Sequence, residues 1–79
     1  MKARVIVTLK NGVLDPQGKA IEGALSSMGH DGVTQIRQGK VFDIELEDGT
    51  SDPEAKVKAM CEALLTNTVI ESYSIEIED

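Results

Sequence analysis

The side chains best suited to metal chemistry are four carboxylates that lie close together in the sequence, namely Glu45, Glu47, Asp48 and Asp52. Carboxylate oxygens are the ligands that Ca²⁺ and Mg²⁺ prefer. Strand alternation, however, sends Glu45 and Glu47 to the solvent face, and the EF-hand spacing with its glycine is absent. We therefore interpret the group as a solvated acidic patch and predict no metal site.

His30 and Cys61 are the single histidine and the single cysteine of the chain. His30 lies in a glycine-flanked loop, with no Ser or Cys at a spacing recognisable for nucleophilic catalysis. Cys61 falls on an apolar helical stripe, which is typical of a small core residue. One cysteine forms neither an internal disulfide nor a Cys-rich zinc site, so the chain suits a reducing compartment.

The motifs of independent enzymes are missing from the sequence. It contains no Gly-rich phosphate loop, no GxGxxG, no HExxH, and no Ser, Cys or Lys with a plausible base partner. One Phe, one Tyr and no Trp leave no aromatic platform for stacking bases, and a net charge of −6 opposes phosphate binding. We predict no catalytic residues and no nucleic-acid partner.

Charge is divided unevenly along the chain. Residues 1–40 carry six basic and three acidic groups, whereas residues 41–79 carry two basic and eleven acidic groups. This asymmetry favours oriented association with a protein surface, although a solvated acidic tail explains it equally well. The apolar runs are too short to cross a membrane, and the start leads directly into a strand pattern. We expect a soluble, cytoplasmic protein.

The elements that position these residues are a strand and a capped helix in each half. A chain of 79 residues forms one domain, 1–79, with a marginal core that a partner could complete. Alternation predicts strands at 2–9 and 69–78. Asp15 and Pro16 begin the first helix, and Gly29 ends it. Ser51 or Asp52 caps the second helix. The predicted apolar stripes are Ile21, Ala24, Leu25 and Met28 in the first helix, and Val57, Met60, Cys61, Leu64 and Leu65 in the second.

Residues 33–47 allow two interpretations. A hairpin at Gln38-Gly39 would give a βαββαβ, ferredoxin-like domain. In such a hairpin, the side chain of Ile36 lies on the opposite face of the sheet from Phe42 and Ile44. In one continuous strand, all three side chains lie on the same face. We favour one long central strand, kinked near Gly39, that bends or reaches onto a neighbour. The predicted fold is α+β, a small antiparallel sheet with two helices on one face. Ile6, Val33 and Val41 then lie on the uncovered face, which could meet a second copy.

An internal repeat is visible at an offset of 37 residues. It aligns Asp15-Pro16 with Asp52-Pro53, and Val33 and Ile36 with Ile70 and Tyr73. It also aligns Val5, Val7 and Leu9 with Phe42, Ile44 and Leu46. One offset that holds across three successive elements favours a duplicated strand-helix-strand unit over coincidence.

The run Gly12-Val13-Leu14-Asp15-Pro16-Gln17-Gly18-Lys19 is the most family-specific stretch of the sequence. It resembles the PurS family, the small subunit of phosphoribosylformylglycinamidine (FGAM) synthase in purine biosynthesis. Supporting matches lie at 33–40, 44–46 and 70–73, so the resemblance covers the whole chain. Asn11 stands where that family would be expected to have proline, a change that a turn absorbs.

The resemblance implies a non-catalytic subunit that bridges two enzymes. A glutaminase subunit releases ammonia, a large ATP-dependent synthetase subunit uses it, and the small subunit, as a dimer or dimer of dimers, assists its transfer. ATP, Mg²⁺ and glutamine would be used by the partners, with no cofactor on this chain. A small-molecule-binding regulatory module of the ACT-like kind is the alternative, and a hairpin at Gln38-Gly39 would favour it.

The resemblance also implies where partners bind. The expected contact residues are Gly12, Leu14, Asp15, Pro16, Gln17, Gly18, Lys19, Arg37, Gly39 and Lys40. Gly23 joins them because it lies on the far side of the first helix, where no core demand explains a glycine and a close backbone approach would, although drift at a tolerant surface site explains it equally well. Helix capping alone could equally explain Asp15 and Pro16, and a local ion pair could explain Arg37.

Overall fold

The computed structural model describes residues 1–78 and contains three strands and two α-helices. They are β1 (Lys2–Leu9), α1 (Pro16–Ser27), β2 (Gly39–Glu45), α2 (Pro53–Met60) and β3 (Glu71–Glu78), with a π-helical segment at Cys61–Leu65. The sheet has the order β2-β1-β3, and both pairs are antiparallel. The predicted α+β fold with a small antiparallel sheet is confirmed.

The core lies on one face of β1, the middle strand of the sheet. Ala3, Val5 and Val7 are 2% exposed or less, as the alternation along this strand predicts. The facing side chains come from both neighbouring strands and from the residue that follows β2, and they are half-buried: Phe42, Ile44, Leu46, Tyr73, Ile75 and Ile77. The strand predicted at 2–9 is confirmed, and the strand predicted at 69–78 begins two residues later, at Glu71.

Helix α2 covers this core against β3. Asp52 caps it, accepting a hydrogen bond from the Ala55 amide at 3.4 Å, and Pro53 occupies its first position. Val57 and Cys61 are completely buried beneath it. The predictions of an Asp52 cap and of a buried Cys61 are confirmed.

The π-helical segment changes which side chains reach the core. The Thr66 amide donates to the Cys61 carbonyl at 3.0 Å, a bond across five residues instead of four. The wider turn rotates the following positions, so Leu65 packs on the core while Leu64 is 85% exposed. The prediction that Leu64 belongs to the buried stripe is therefore wrong.

Helix α1 forms where the sequence predicts it but packs differently. Asp15 accepts from the Gly18 amide at 2.9 Å, and Gly29 follows the helix at φ +92°. The stripe, however, is not buried: Ile21 is 39% and Met28 72% exposed. Of the two helices predicted on one face of the sheet, only α2 packs there among the described residues, and α1 makes few contacts with the strands.

The long strand is shorter and placed differently than predicted. Strand β2 begins at Gly39, opposite Thr8 near the end of β1, and residues 31–38 belong to no strand. The predicted central strand is an edge strand, because β1 lies in the middle. The physical reason is that β1 has ended, and no strand within residues 1–78 lies beside residues 33–38. A hairpin at Gln38-Gly39 is not formed either.

The chain is elongated. Its extents are 51 × 25 × 15 Å, and its radius of gyration of 16.2 Å exceeds the value of about 12 Å expected for a compact chain of this length. Much apolar surface of α1 therefore stays exposed. Among the described residues, no helix is long and apolar enough to span a bilayer.

Candidate functional site

The carboxylate of Asp15 joins the start of α1 to the segment before β2. One oxygen caps the helix through Gly18, and the other accepts from the Gln38 amide at 2.7 Å. These two amides, Gln38 first, hold the pKa of Asp15 below its ordinary value, since they stabilise the charged form. Asp15 is thus more than a helix cap.

Glu22 makes a second contact of the same kind, two turns along α1. Its Oε2 accepts from the Ile36 amide at 3.0 Å, while its Oε1 lies 3.6 Å from Lys19 Nζ. The side chain of Glu22 is only 19% exposed. The capping residue of α1 and a carboxylate within α1 therefore accept hydrogen bonds from the amides of residues 38 and 36.

Arg37, between those two residues, reaches back to the end of β1. Its guanidinium donates to Asn11 Oδ1 at 2.7 Å, to the Lys10 carbonyl at 3.2 Å and to the Leu9 carbonyl. The local contact of Arg37 is therefore made with uncharged carbonyl and amide oxygens, and not with the carboxylate that the alternative of a local ion pair requires. It fixes the loop that leads into α1.

Two glycines allow this close packing. A Cβ on Gly18 would overlap the Ile36 carbonyl oxygen, and one on Gly39 would lie 2.5 Å from the Val7 carbonyl oxygen. Real Cβ atoms do not approach that closely. Gly18 and Gly39 are thus required by the chain's own backbone.

We call residues 10–22 together with 35–38 the α1 junction. It encloses a groove of about 160 Å³ lined mainly by loop 11–15 and residues 35–37. Beside it, a second recess of about 260 Å³ includes Gln17, Gln38, Lys40 and Glu71. There Lys40 Nζ lies 3.7 Å from Glu71 Oε2 and 6.0 Å from the Phe42 ring centroid.

The structure brings most of the expected contact residues to this junction. Those that line its groove or recess, or pack within it, are Gly12, Leu14, Asp15, Gln17, Gly18, Lys19, Arg37, Gly39 and Lys40, with Pro16 at the first position of α1. Leu14 is 69% exposed. Gly23 lies apart on the open surface of α1, where a Cβ would meet nothing within 4 Å. Contact of these residues with partners stays a prediction.

Sequence reasoning missed Glu22, Gln38 and Glu71 as parts of this region. Glu22 reads as an ordinary surface residue, because its partner is a backbone amide fourteen positions away. Glu71 carried one signal, since it interrupts the apolar face of the last strand. That interruption is explained by its contacts with Lys40 and with the Asn67 amide.

The opposite face of the sheet is polar. Arg4 Nε donates to Asp43 Oδ1 at 2.9 Å, which lowers the pKa of that carboxyl. Lys2 lies between Glu45 and Glu78, its cross-strand neighbours, while Val41 is 54% exposed beside Ile6. No group of three or more metal-ligating side chains is found among residues 1–78.

Comparison with known proteins adds to this geometry. Residues 2–79 match the family model "PurS: Phosphoribosylformylglycinamidine (FGAM) synthase". Phosphoribosylformylglycinamidine synthase subunit PurS of Bacillus subtilis is 47% identical, over 99% of this chain and 93% of its own length. The Mycobacterium leprae protein of the same name is 48% identical, over 98% and 95%.

Solved structures agree with the sequence matches. Bacillus subtilis PurS superposes with a TM-score of 0.91 at 47% identity, covering 99% of this chain and 98% of the other. A chain of the Thermotoga maritima PurLQS structure gives 0.84 at 33% identity, covering 95% and 93%. Fold, length and sequence match together along nearly the entire chain, and the chain therefore belongs to the PurS family.

Proposed function

We propose that this chain is the small, non-catalytic subunit of FGAM synthase and that it bridges the glutaminase and the ATP-dependent synthetase subunits. The observation that carries the proposal is the family match over residues 2–79. The Thermotoga maritima PurLQS structure supports the bridging role, because it contains a relative of this chain in a synthase of several subunits.

The shape of the chain suits an assembly role. An elongated chain with an exposed helical stripe and two open sheet edges buries little of its apolar surface alone. Contiguous exposed apolar surface of this kind is typical of protein interfaces. The proposed assembly includes a homodimer of this chain, and the α1 junction with Gly23 provides surface for the enzyme subunits.

Ammonia transfer gives the physical reason for such a subunit. Ammonia released into water is protonated and lost to the reaction, so the two enzyme sites must be held together while it passes. This chain would hold them and would bind no cofactor, while ATP, Mg²⁺ and glutamine stay with the partners. The proposal places the assembly in the cytoplasm.

A comparison of nitrogen sources tests this function. The glutaminase and synthetase are purified from the same cells and assayed for FGAM formation with and without this chain. Glutamine-dependent synthesis should require the chain, whereas synthesis from high concentrations of ammonium chloride should not. Equal glutamine-dependent rates with and without the chain would refute the bridging role.

A further inference from the structure

We propose that Asn11 is a site of spontaneous deamidation and that the contact with Arg37 controls how fast the reaction proceeds. The inference goes beyond the proposed function, since it concerns the covalent chemistry of this chain alone. Asn11 is followed by Gly12, and both residues are exposed, so water and base reach them. Glycine has no side chain to hinder attack by its backbone nitrogen, which makes this pair of residues chemically prone to the reaction.

The reaction needs only base and water. The Gly12 amide nitrogen loses its proton to base and attacks Asn11 Cγ. The bond from Cγ to Nδ2 breaks, and that nitrogen takes up a proton and leaves as ammonia. The resulting five-membered succinimide ring adds one water and opens at either of its carbonyl carbons. The product is aspartate or isoaspartate at position 11, and neither an oxidant nor a cofactor is required.

The turn that contains Asn11 has a defined type. The Val13 amide donates to the Lys10 carbonyl at 3.1 Å, and Gly12 has φ +87°. Asp52 is the one non-glycine residue with positive φ among residues 1–78, so Asn11 has a negative φ. These values describe a type II turn with Asn11 at its second position, where ψ is about +120°.

This turn holds the two reacting atoms apart. The succinimide ring contains both the Gly12 nitrogen and the Asn11 Cβ, so these atoms must be nearly eclipsed about the Cα–C bond when the ring closes. In an L-residue with ψ of about +120°, the nitrogen lies about 120° away from Cβ. Attack requires the reacting atoms to approach to about 3–3.5 Å. The peptide must therefore rotate, and the turn must open, before the reaction can start.

Arg37 is the side chain that resists this rotation. Its guanidinium donates to Asn11 Oδ1 at 2.7 Å, to the Lys10 carbonyl at 3.2 Å and to the Leu9 carbonyl. It thus holds the side chain that must react and the two peptide groups before it. The observed rate is the rate in the open turn multiplied by the open fraction, and Arg37 lowers that fraction.

The hydrogen bond to Asn11 Oδ1 has a second effect of opposite sign. A cationic donor on the amide oxygen withdraws electrons from Cγ and makes this carbon more electrophilic. This activation has no outlet while the Gly12 nitrogen is turned away from Cγ. The geometric restraint therefore decides the rate, and loss of Arg37 should accelerate the reaction.

Arg37 also connects the reactivity of Asn11 to the α1 junction. The amides on either side of Arg37 donate to Glu22 and Asp15. Release of residues 35–38 from α1 would withdraw the guanidinium from the turn and leave Asn11 reactive. Deamidation would thus mark the copies of the chain in which the junction has opened.

The two products change the turn in different ways. Aspartate at position 11 offers Arg37 a charged acceptor, which forms a stronger hydrogen bond than the amide does. Isoaspartate carries the main chain through Cβ and so adds one main-chain atom between Lys10 and Val13. The bond between these two residues would then be lost, and the loop that leads to Asp15 would be displaced.

Peptide mapping measures the reaction in the full chain. The purified protein is kept at mildly alkaline pH, either folded or unfolded in guanidinium chloride, and trypsin then releases residues 11–19. Fragment spectra locate the change of mass from amide to acid at Asn11, and Asn67, which precedes the branched Thr68, is the internal reference. We expect Asn11 to react at least about tenfold more slowly in the folded chain, because only the open fraction reacts. Equal rates in the two states would overturn the proposal.

Variants of the folded chain test Arg37 itself. Arg37→Ala should raise the rate at Asn11 at least about fivefold, and Arg37→Lys, which keeps the charge but lacks the planar fork of donors, should give an intermediate rate. The matched control is Lys19→Ala, which removes the ion pair with Glu22 elsewhere in the α1 junction and should stay within about twofold of wild type.

Circular dichroism checks that each variant is folded, and Arg37→Lys carries the test if Arg37→Ala is not. A rate in the folded Arg37 variants equal to that of wild type would overturn the proposal. A lower rate would also overturn it, because the guanidinium would then activate Cγ more than it restrains the turn. The same acceleration by Lys19→Ala would show that general loosening of the junction, and not the contact with Arg37, controls the reaction.

Discussion

Gly18 and Gly23 lie in the same helix and predict opposite effects of one added methyl group. At Gly23 a Cβ meets nothing within 4 Å, so Gly23→Ala should gain helix propensity and stabilise by about 0.5–1 kcal/mol. At Gly18 the Cβ would overlap the Ile36 carbonyl and lie 3.0 Å from Asp15 Oδ2. Overpacking of this kind costs about 1–3 kcal/mol, which exceeds the propensity gain in the first turn.

The expected net result is a loss of about 1–2 kcal/mol for Gly18→Ala, so the two variants should differ by about 1.5–3 kcal/mol. Urea denaturation at one protein concentration gives the free energies of unfolding, since dimerisation makes stability depend on concentration. In a melting curve, about 1 kcal/mol corresponds to a shift of about 4–8 °C at this chain length.

Amide exchange shows where the loss occurs. The Ile36 and Gln38 amides donate hydrogen bonds to Glu22 and Asp15. Gly18→Ala should speed hydrogen exchange at these two amides, and Gly23→Ala should leave their exchange rates unchanged. The reasoning is refuted if Gly18→Ala is as stable as Gly23→Ala, because residues 36–38 would then not be packed against the helix.

Four further perturbations follow from the structure. Asp15→Asn should destabilise the chain at neutral pH, and its deficit relative to wild type should shrink as the pH falls below about 4, the ordinary pKa of an aspartate, because a lowered pKa contributes stability that is lost as pH falls through it; urea titrations at several pH values measure this, and a constant deficit would contradict it. Gly23→Leu should leave the isolated protein folded yet weaken its assembly with the enzyme subunits in gel filtration, with Gly23→Ala as the control. Phe42→Ala should cost about 2–3 kcal/mol, below the range of about 3–5 for full burial, because the ring is only half-buried in this chain; an unchanged melting curve would mean that the ring packs on nothing. The Cys61 thiol should react with a thiol reagent only as the protein unfolds, because burial removes access and raises its pKa; rapid labelling of the folded protein would show an open core.

The sequence predicted local structure well, because helix starts and strand alternation are determined by residues that are close in the sequence. Asp15-Pro16 and Asp52-Pro53 are capping sequences, and each begins a helix at the predicted residue. Alternation likewise predicted β1 and the buried face of β3. These features depend on neighbours within a few positions of the chain.

The sequence was less informative where burial and contacts depend on backbone that is distant in the sequence. Periodicity assigned Ile21 and Met28 to a buried stripe, but whether a stripe is covered depends on what lies opposite it, and within residues 1–78 these two side chains stay exposed. Leu64 was misplaced because a single π-helical turn shifts the stripe without leaving a pattern. The contact of Glu22 with the Ile36 amide joins a side chain to a main-chain group, for which residue types carry no code.

Residues 33–45 show the same difference between what the local sequence predicts and what distant neighbours decide. Keeping Ile36 on the face of Phe42 and Ile44 argued correctly against a hairpin at Gln38-Gly39. The same argument treated residues 33–38 as part of the chain's own sheet, where they have no neighbouring strand. Alternation describes the conformation of a segment and does not say which chain lies beside it.

The other free border of the sheet, along β3, sets a limit to aggregation. Glu76 and Glu78 lie on this strand with exposed side chains, and a second β3 aligned against it would bring carboxylates of the same sign together, which is unfavourable. A sheet edge that repels a second copy of itself does not support growth into filaments. Replacing those glutamates with neutral residues would remove this repulsion, and the solubility of the protein at high concentration would fall.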